Sequence, residues 1–510
     1  MYKFIKSTFI VSVCTLISRI FGYIRDMIIA EKIGTGLLND AFISAFRLVN
    51  MFRNIFAEGA LNLVFVPEFS KELKNYGKKS ALELASKVHL ILILILTFFC
   101  LLSIIFMPYI IWYSTPGFRN NIQVYHLTVS FGRITFPYLF CISLAAFYGG
   151  ILNSFHKFFP FAIAPVLLNI FIIISLLFFD NFETKAHNLS IATLIGGLLE
   201  LIWMSFFLFI YCGRLKFLKI EINKKITRML MNIIPIIISS GINHINTWLS
   251  MIMLSFFPGG LSYLYYADRV IQLPLALIGT AIGTVVLPLL IKNSRSIHYR
   301  EKANDWYNDV TNIVMMFAIP ATIALFFLSN NIVHILFERG EFTNISTLYT
   351  SRTLQILVWS LPASILIKLF QTKFYTQFNT KIPVIISIIC MVVNVIISVV
   401  LVNNLQYLGI AIANVVSAWL NIVVLVIFAY KAFQFNIQKF VLYEVTKYLL
   451  ASISMLFFMY VYEHIITITS PFLFLFFEIL CGFFSYAITC YLLKIKVLLV
   501  MKSYLKKLNN

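Results

Sequence analysis

Charge is scarce in this chain of 510 residues, and acid is scarcer than base: 20 Asp and Glu stand against 40 Lys and Arg. Only 12% of positions are charged while 60% are hydrophobic, more apolar surface than the core of a soluble domain could hide. Long polar loops are missing too, which excludes an appended soluble domain. Cysteine is sparse: seven residues, Cys14, Cys100, Cys141, Cys212, Cys390, Cys481 and Cys490, are spread through apolar runs without metal-ligand spacing or a disulfide pattern. The eight histidines are equally dispersed, so no metal site is expected. No Gly-rich phosphate loop is present, which argues against nucleotide hydrolysis. The first apolar stretch lacks a small-residue cleavage site and carries Arg19 and Arg25, so it reads as a retained span rather than a secretory signal.

Apolar runs fill the remainder. Stretches such as Leu90 to Ile111 and Phe161 to Phe179 are long enough to cross a hydrocarbon layer of ~30 Å as helices. Apolar length and turn residues mark about fourteen spans. The expected fold is an all-α polytopic membrane protein with two pseudo-symmetric six-helix lobes, 1–215 and 216–435, followed by two helices and a basic tail in 436–510. Single spans are expected over 38–66, 124–154, 306–337 and 346–377, with cytoplasmic loops around Lys71 to Lys79 and Arg214 to Lys225. The two-lobe reading rests on a weak repeat. FHKFFPFAIAPVLLNIFII, from Phe155, and FNTKIPVIISIICMVVNVII, from Phe378, each leave a helix through a Lys, turn at a Pro and carry Asn169 or Asn394 in the next helix. Transporters commonly arise from such repeats.

Lys and Arg fall mostly in one alternate set of loops; the other set holds only Lys32, Arg119, Lys185 and Arg339. This asymmetry predicts cytoplasmic N- and C-termini. The formal charge of +20 is therefore a topology signal beside anionic membrane lipids, and a nucleic-acid partner is not expected.

The first span contains SRIFGYIRD, Ser18 to Asp26. At 100° per residue, Arg19 and Asp26 share a helical face and Arg25 projects beside it. In the second span Arg47, Asn50, Asn54 and Glu58 draw one polar stripe with Arg53 alongside, and Asp40 stands near its outer edge. The eighth span supplies YYADRVIQ, in which Tyr265, Arg269 and Gln272 share a face next to Asp268. An arginine at mid-bilayer costs about 2.5–3.5 kcal/mol on insertion scales, so five facing lipid would cost above ~10 kcal/mol. Three arrangements avoid that cost: internal salt bridges that lock helices, snorkelling to either headgroup layer, or a hydrated cavity with a cationic excess. The excess of arginine over acid favours a cavity for an anion with phosphate oxygens, which guanidinium forks match. Gly279-x-x-x-Gly283 reads as a close helix contact, and Pro137, Pro235, Pro274, Pro320 and Pro362 as kinks.

SRIFGYIRD, NDAF from Asn39, RNIFAEGALNLVFVPEF from Arg53 and YYADRVIQLPLALIGTAIGTVVLPLL from Tyr265 together resemble the MurJ (MviN) lipid II flippases of the multidrug/oligosaccharidyl-lipid/polysaccharide exporter superfamily. The resemblance covers essentially the whole chain. It implies a transporter, not an enzyme, that moves lipid II, the undecaprenyl-diphosphate-linked disaccharide-pentapeptide, from the inner to the outer leaflet of the bacterial cytoplasmic membrane for cell-wall synthesis. It also implies diphosphate-binding roles for Arg19, Arg25, Arg53 and Arg269, and cavity or gating roles for the acids Asp26, Asp40 and Glu58. Asp268 joins these acids by its place beside Arg269, and Arg47, Asn54 and Gln272 are further cavity polar groups. The last two helices are similar to the family's lipid-tail groove. Two departures stand out. Many members carry Arg-Arg where this chain has Arg53-Asn54, and the acids some members use for sodium in spans seven and eleven are here Asn243, Asn246 and Asn394.

No metal or cofactor is expected; a monovalent cation or the membrane potential is left as the coupling source, and cell-wall synthesis proteins as further partners. Two other readings have distinguishing marks. A drug or oligosaccharide exporter of the same superfamily shares the helix plan, but a cationic-drug carrier needs a negative cavity. A membrane-embedded glycosyltransferase needs a catalytic carboxylate at its surface, and the external acids Asp180, Glu183, Glu338, Glu341 and Glu463 are widely separated.

Overall fold

The computed structural model describes residues 2–54, 64–179, 182–215, 244–293, 299–376, 381–433, 438–466 and 468–495, with isolated positions between 227 and 241. Seventeen α-helices run through them in two compact units. The first unit is Met1–Ser262 with Arg339–Thr343, and the second is Tyr263–Glu338 with Asn344–Asn510.

The first unit holds α1 (Tyr2–Ile33), α2 (Leu37–Arg53), α3 (Val66–Ile105), α4 (Met107–Ser114), α5 (Ile122–Thr135), α6 (Tyr138–Ser154), α7 (Phe159–Phe178) and α8 (Lys185–Cys212). A further helical stretch covers 244–254. Helix α9 (Gly260–Asn293) contributes its first turn to this unit, so the division between the two compact units falls inside α9. The second unit continues with α10 (Tyr299–Phe327), α11 (Ser329–Phe337), α12 (Asn344–Leu357), α13 (Leu361–Thr376), α14 (Lys381–Leu405), α15 (Tyr407–Phe433), α16 (Lys439–Ile465) and α17 (Pro471–Leu492).

The order of elements repeats. A long helix, a short one, a broken pair and two packed helices make up α3 to α8, and the same series makes up α10 to α15. Helices α7 and α8 pack together in one unit, as do α14 and α15 in the other. The expected spans 124–154 and 346–377 each form one continuous stretch, Ile122–Ser154 and Asn344–Tyr375. Within them the α-helical ladder is interrupted, at Phe136–Pro137 between α5 and α6 and by a single 3-10 turn before Pro362 between α12 and α13. Proline lacks the N–H that would continue the ladder and its ring crowds the preceding turn, so a local interruption at both places is its direct consequence. Pro320, by contrast, lies inside the continuous α10.

Two further expectations change in detail. The span 306–337 is two helices broken at Leu328. The basic segment 71–79, read as a loop, is helical apart from Gly77, whose φ of 82° and ψ of 179° separate two helical arms within α3. That backbone region is close to glycine-only, so Gly77 sets the position of the break.

Among the described residues, ten helical stretches are long and apolar enough to cross a membrane. Outward-facing apolar side chains such as Phe98, Ile202, Val400 and Phe472 are exposed, as expected where lipid takes the place of water. The first unit's interior is built from α3, α6 and α8 around Phe65, Phe69, Phe147, Ile151 and Met204. In the second, α16 and α17 bind α10 through Met316, Tyr448, Met455, Met459 and Tyr486, whose hydroxyl donates to the Met316 carbonyl at 2.6 Å.

Candidate functional site

Helix α1 packs along α7, and that contact positions its charged face. Arg25 and Asp26 are both buried. The Arg25 guanidinium grips one oxygen of Asp26 with Nε at 3.1 Å and Nη2 at 2.8 Å, while Nη1 donates to Asn169 Oδ1 of α7 at 2.9 Å. Asn169 returns its amide to the Ser18 carbonyl at 3.2 Å, so one asparagine fixes both the arginine and the helix that carries it. Gly22, one turn before Asp26, lets α7 approach; a Cβ there would stand 3.7 Å from the Asn169 amide nitrogen. Arg19 is exposed on the same helix. The charge on Arg25 is thus already shared with a carboxylate, whereas Arg19 stands outside that cluster.

On α2, Arg47, Arg53 and Asn54 are half-buried, and Arg53 Nη2 lies 3.4 Å from Asn54 Oδ1. Arg53 also interacts with Tyr138 of α6. Glu58 lies outside the described residues.

Asp40 is fully buried. One of its oxygens accepts the Gly259 N–H at 2.6 Å; the other accepts the Ser262 N–H at 2.8 Å and the Ser262 hydroxyl at 2.6 Å. These donors are the otherwise unmet amides at the start of α9, and a carboxylate there also complements the helix dipole. Gly259, with φ of 82°, makes the turn that aims them. The structure therefore places Asp40 as a cap supplied by α2 to the first turn of α9.

Further along α9 the predicted shared face is present. Arg269 donates to the Tyr265 hydroxyl at 2.9 Å and to Gln272 Oε1 at 3.3 Å, and its guanidinium carbon lies 4.9 Å from the Tyr265 ring centre. Gln272 donates in turn to Asp268 at 2.6 Å. Asp268 is exposed and is linked to Arg269 through the glutamine amide.

Sequence reasoning did not connect Asn169 with Arg25 or Asp40 with α9, because both partners are distant in the chain. It also passed over Glu200 of α8, which is 1% exposed. A single acid within the apolar run GGLLELIW was the available signal. Of the expected polar residues in span seven, Asn243 lies outside the described residues.

A family profile described as lipid II flippase MurJ matches residues 29–481. The chain belongs to the MurJ family. The probable lipid II flippase MurJ of Rickettsia prowazekii (strain Madrid E) is 34% identical over 437 residues, 85% of either chain. That of Rhizobium tropici is 36% identical over 440 residues, 84% of this chain and 81% of the relative. A solved structure, "Lipid II flippase MurJ, inward closed conformation", superposes with a TM-score of 0.80 at 29% identity, covering 95% of this chain and 98% of that one. An inward-facing multidrug resistance MATE family transporter of the MOP superfamily superposes with a TM-score of 0.60 at 15% identity, over 82% of this chain and 95% of its own, which speaks for the fold alone. Membership of the MurJ family agrees with the all-α, multi-pass membrane architecture.

Proposed function

We propose that this chain is a lipid II flippase: it carries the undecaprenyl-diphosphate-linked peptidoglycan precursor from the inner to the outer leaflet of the bacterial cytoplasmic membrane by alternating access. The observation that carries the reading is the match to the MurJ family over residues 29–481, on a fold whose helices α1, α2 and α9 bear Arg19, Arg25, Arg53 and Arg269. Arginine suits the task because its planar fork meets two phosphate oxygens at once and keeps its charge at every physiological pH.

The ligand of these arginines, in this proposal, is the diphosphate. Arg269, held by Tyr265 and Gln272, is pre-aimed, and Arg19 is exposed. Arg25 is held by Asp26, so a diphosphate must compete with that carboxylate. Such competition ties ligand binding to a rearrangement of α1 against α7, the kind of differential interaction that a conformational change requires. The membrane potential acts on the same charges. The orientation proposed has both termini in the cytoplasm.

Reconstitution in liposomes with labelled lipid II on one leaflet tests this. Transfer is expected with the native chain, to fall strongly in an Arg25→Ala/Arg269→Ala protein that remains folded, and to persist in Lys78→Ala. No transfer by the native chain would overturn the function. Undiminished transfer by the double variant would overturn the diphosphate role.

A further inference from the structure

Glu200 sits in the middle of α8, fifteen residues after Lys185, and is 1% exposed. One of its carboxylate oxygens is buried with no hydrogen-bond donor. Leaving an ionised oxygen unmet in a protein interior costs several kcal/mol, roughly, unless the group is neutralised by a proton or by a cation.

The groups facing it identify which. Helix α6 brings Tyr138 and Cys141, both buried, and α2 brings Arg53 within electrostatic range. Helix α1 brings Arg25 to the same tyrosine. Helix α7 carries no titratable side chain, and on α5 Arg133 and Tyr125 are bonded away to the carbonyls of Ile104 and Pro108. Arg53 is therefore the near cation. It is also engaged by Tyr138 and Asn54. In the second unit, α15 carries a neutral amide at a similar place along its helix: Asn421, fourteen residues after Tyr407, whose carbonyl oxygen is likewise buried without a donor.

We propose that Glu200 is a proton-binding residue that sets how much of Arg53's charge is available to an anionic diphosphate. With the O–H bond of the acid intact, Glu200 is neutral and does not compete with phosphate oxygens for Arg53. When that bond breaks, the proton leaves to water and the carboxylate competes for Arg53. By linkage, diphosphate binding favours the protonated acid and protonation favours binding, each by the same factor. The inference rests on Arg53 being a diphosphate ligand and deepens that reading by adding a proton.

The test uses the purified full-length chain and a short-chain prenyl diphosphate as probe. Its affinity for the native protein is expected to fall as pH rises from mildly acidic to mildly alkaline, by up to about tenfold per pH unit, with one proton taken up as seen by calorimetry in two buffers of different ionisation enthalpy. Glu200→Gln is expected to bind with the pH slope and the proton uptake removed. An equal slope in both proteins, or no slope in the native one, overturns the proposal. Labelling of the native chain with a hydrophobic carbodiimide, which modifies protonated buried carboxyls, supplies a readout that needs no variant. Modification mapped to Glu200 by mass spectrometry, slower at high pH, supports the proton site, and its absence across the range overturns it. Failure of the probe to bind the native chain would instead count against the arginines as diphosphate ligands, while the labelling still decides Glu200.

Discussion

Arg25 of α1 and Asn169 of α7, 144 residues apart in the chain, are joined by a 2.9 Å hydrogen bond between guanidinium and amide oxygen. The bond completes the fork on Asp26 and makes α7 part of the arginine's support. Removing one member of a buried charge pair costs about 3–5 kcal/mol because the other is left uncompensated. Arg25→Ala is therefore expected to destabilise the protein strongly, and Arg25→Gln/Asp26→Asn to recover most of the thermal stability without recovering lipid II transfer. Asn169→Ala, which leaves the ion pair intact, should cost about 1–2 kcal/mol and reduce transfer by loosening Arg25. Melting in detergent set against liposome transfer separates the two effects. Equal recovery of stability and transfer in the double variant would contradict this.

The cap on α9 predicts an order among variants. Asp40→Ala strands the amides of Gly259 and Ser262, whereas Ser262→Ala removes only one hydroxyl and leaves both amide bonds in place. The expected losses are about 2–3 kcal/mol for the first and about 1 kcal/mol for the second, with Asp40→Asn between them. Thermal melting of the three proteins checks the ranking, and a reversed order would refute the capping role.

Gly34 and Gly340 approach each other's neighbours in a reciprocal way. A Cβ on Gly34 would come within 2.3 Å of the Glu341 carbonyl oxygen, and one on Gly340 within 2.3 Å of the Glu31 carbonyl oxygen. Between them the Glu341 N–H donates to the Glu31 carbonyl at 2.8 Å. Both glycines have positive φ, 71° and 56°. Alanine at either position must break the backbone bond as well as accept strain, so each variant is expected to lose about 2–3 kcal/mol. Hydrogen exchange at the Glu341 amide should accelerate in both, and unchanged exchange would show that the neighbouring backbone gives way without cost.

How far these relationships could be read from sequence depends on their range. The 3.6-residue period placed Tyr265, Arg269 and Gln272 on one face because a helix fixes that geometry within itself. Long apolar runs placed the lipid-facing helices for an equally local reason. The pairing of Asp40 with Gly259 and Ser262 had no such marker: it depends on two helices meeting, and neither segment announces its partner. Pro137 and Pro362 were visible as kinks because proline removes a ladder hydrogen bond, yet how far the ladder is disturbed depends on the packing around it, as the continuous helix at Pro320 shows. Glu200 was legible in principle, as the one acid in its span.

At the end of α11, Glu338 and His334 lie 2.9 Å apart. Burial pushes the Glu338 carboxyl up, but hydrogen bonding by His334 and Thr347 together with the charge of His334 outweighs it, so the group sits below the usual carboxylate range. A carboxyl depressed in the folded state stabilises the fold above its unfolded value of about 4.3 and loses that contribution as pH falls through the lower folded value. Melting temperature in the native protein should therefore drop more steeply than in Glu338→Gln on acidification below about pH 4.5, and the two should run parallel above it. Parallel curves throughout the acid range would rule the pair out as a contributor.

Arg269 carries the sharpest expectation for transport. Its two nitrogens reach Tyr265 and Gln272 at once, a geometry that the single ammonium of lysine cannot reproduce. Arg269→Lys keeps the charge and loses the aim, so lipid II transfer should fall by about tenfold or more, the worth of one charge-assisted hydrogen bond. Tyr265→Phe keeps the ring beneath the guanidinium and removes only the hydroxyl acceptor, so a smaller loss is expected, about threefold to tenfold. In Gln272→Leu, Asp268 loses the amide that holds it. If the carboxylate then swings to Arg269 and neutralises it, transfer should fall further than in Tyr265→Phe, and Gln272→Leu/Asp268→Asn should restore part of it. Initial transfer rates of the four proteins, normalised to folded protein, decide the matter. Full activity in Arg269→Lys would mean that a positive charge alone suffices at this position and that the orientation imposed by Tyr265 and Gln272 is incidental.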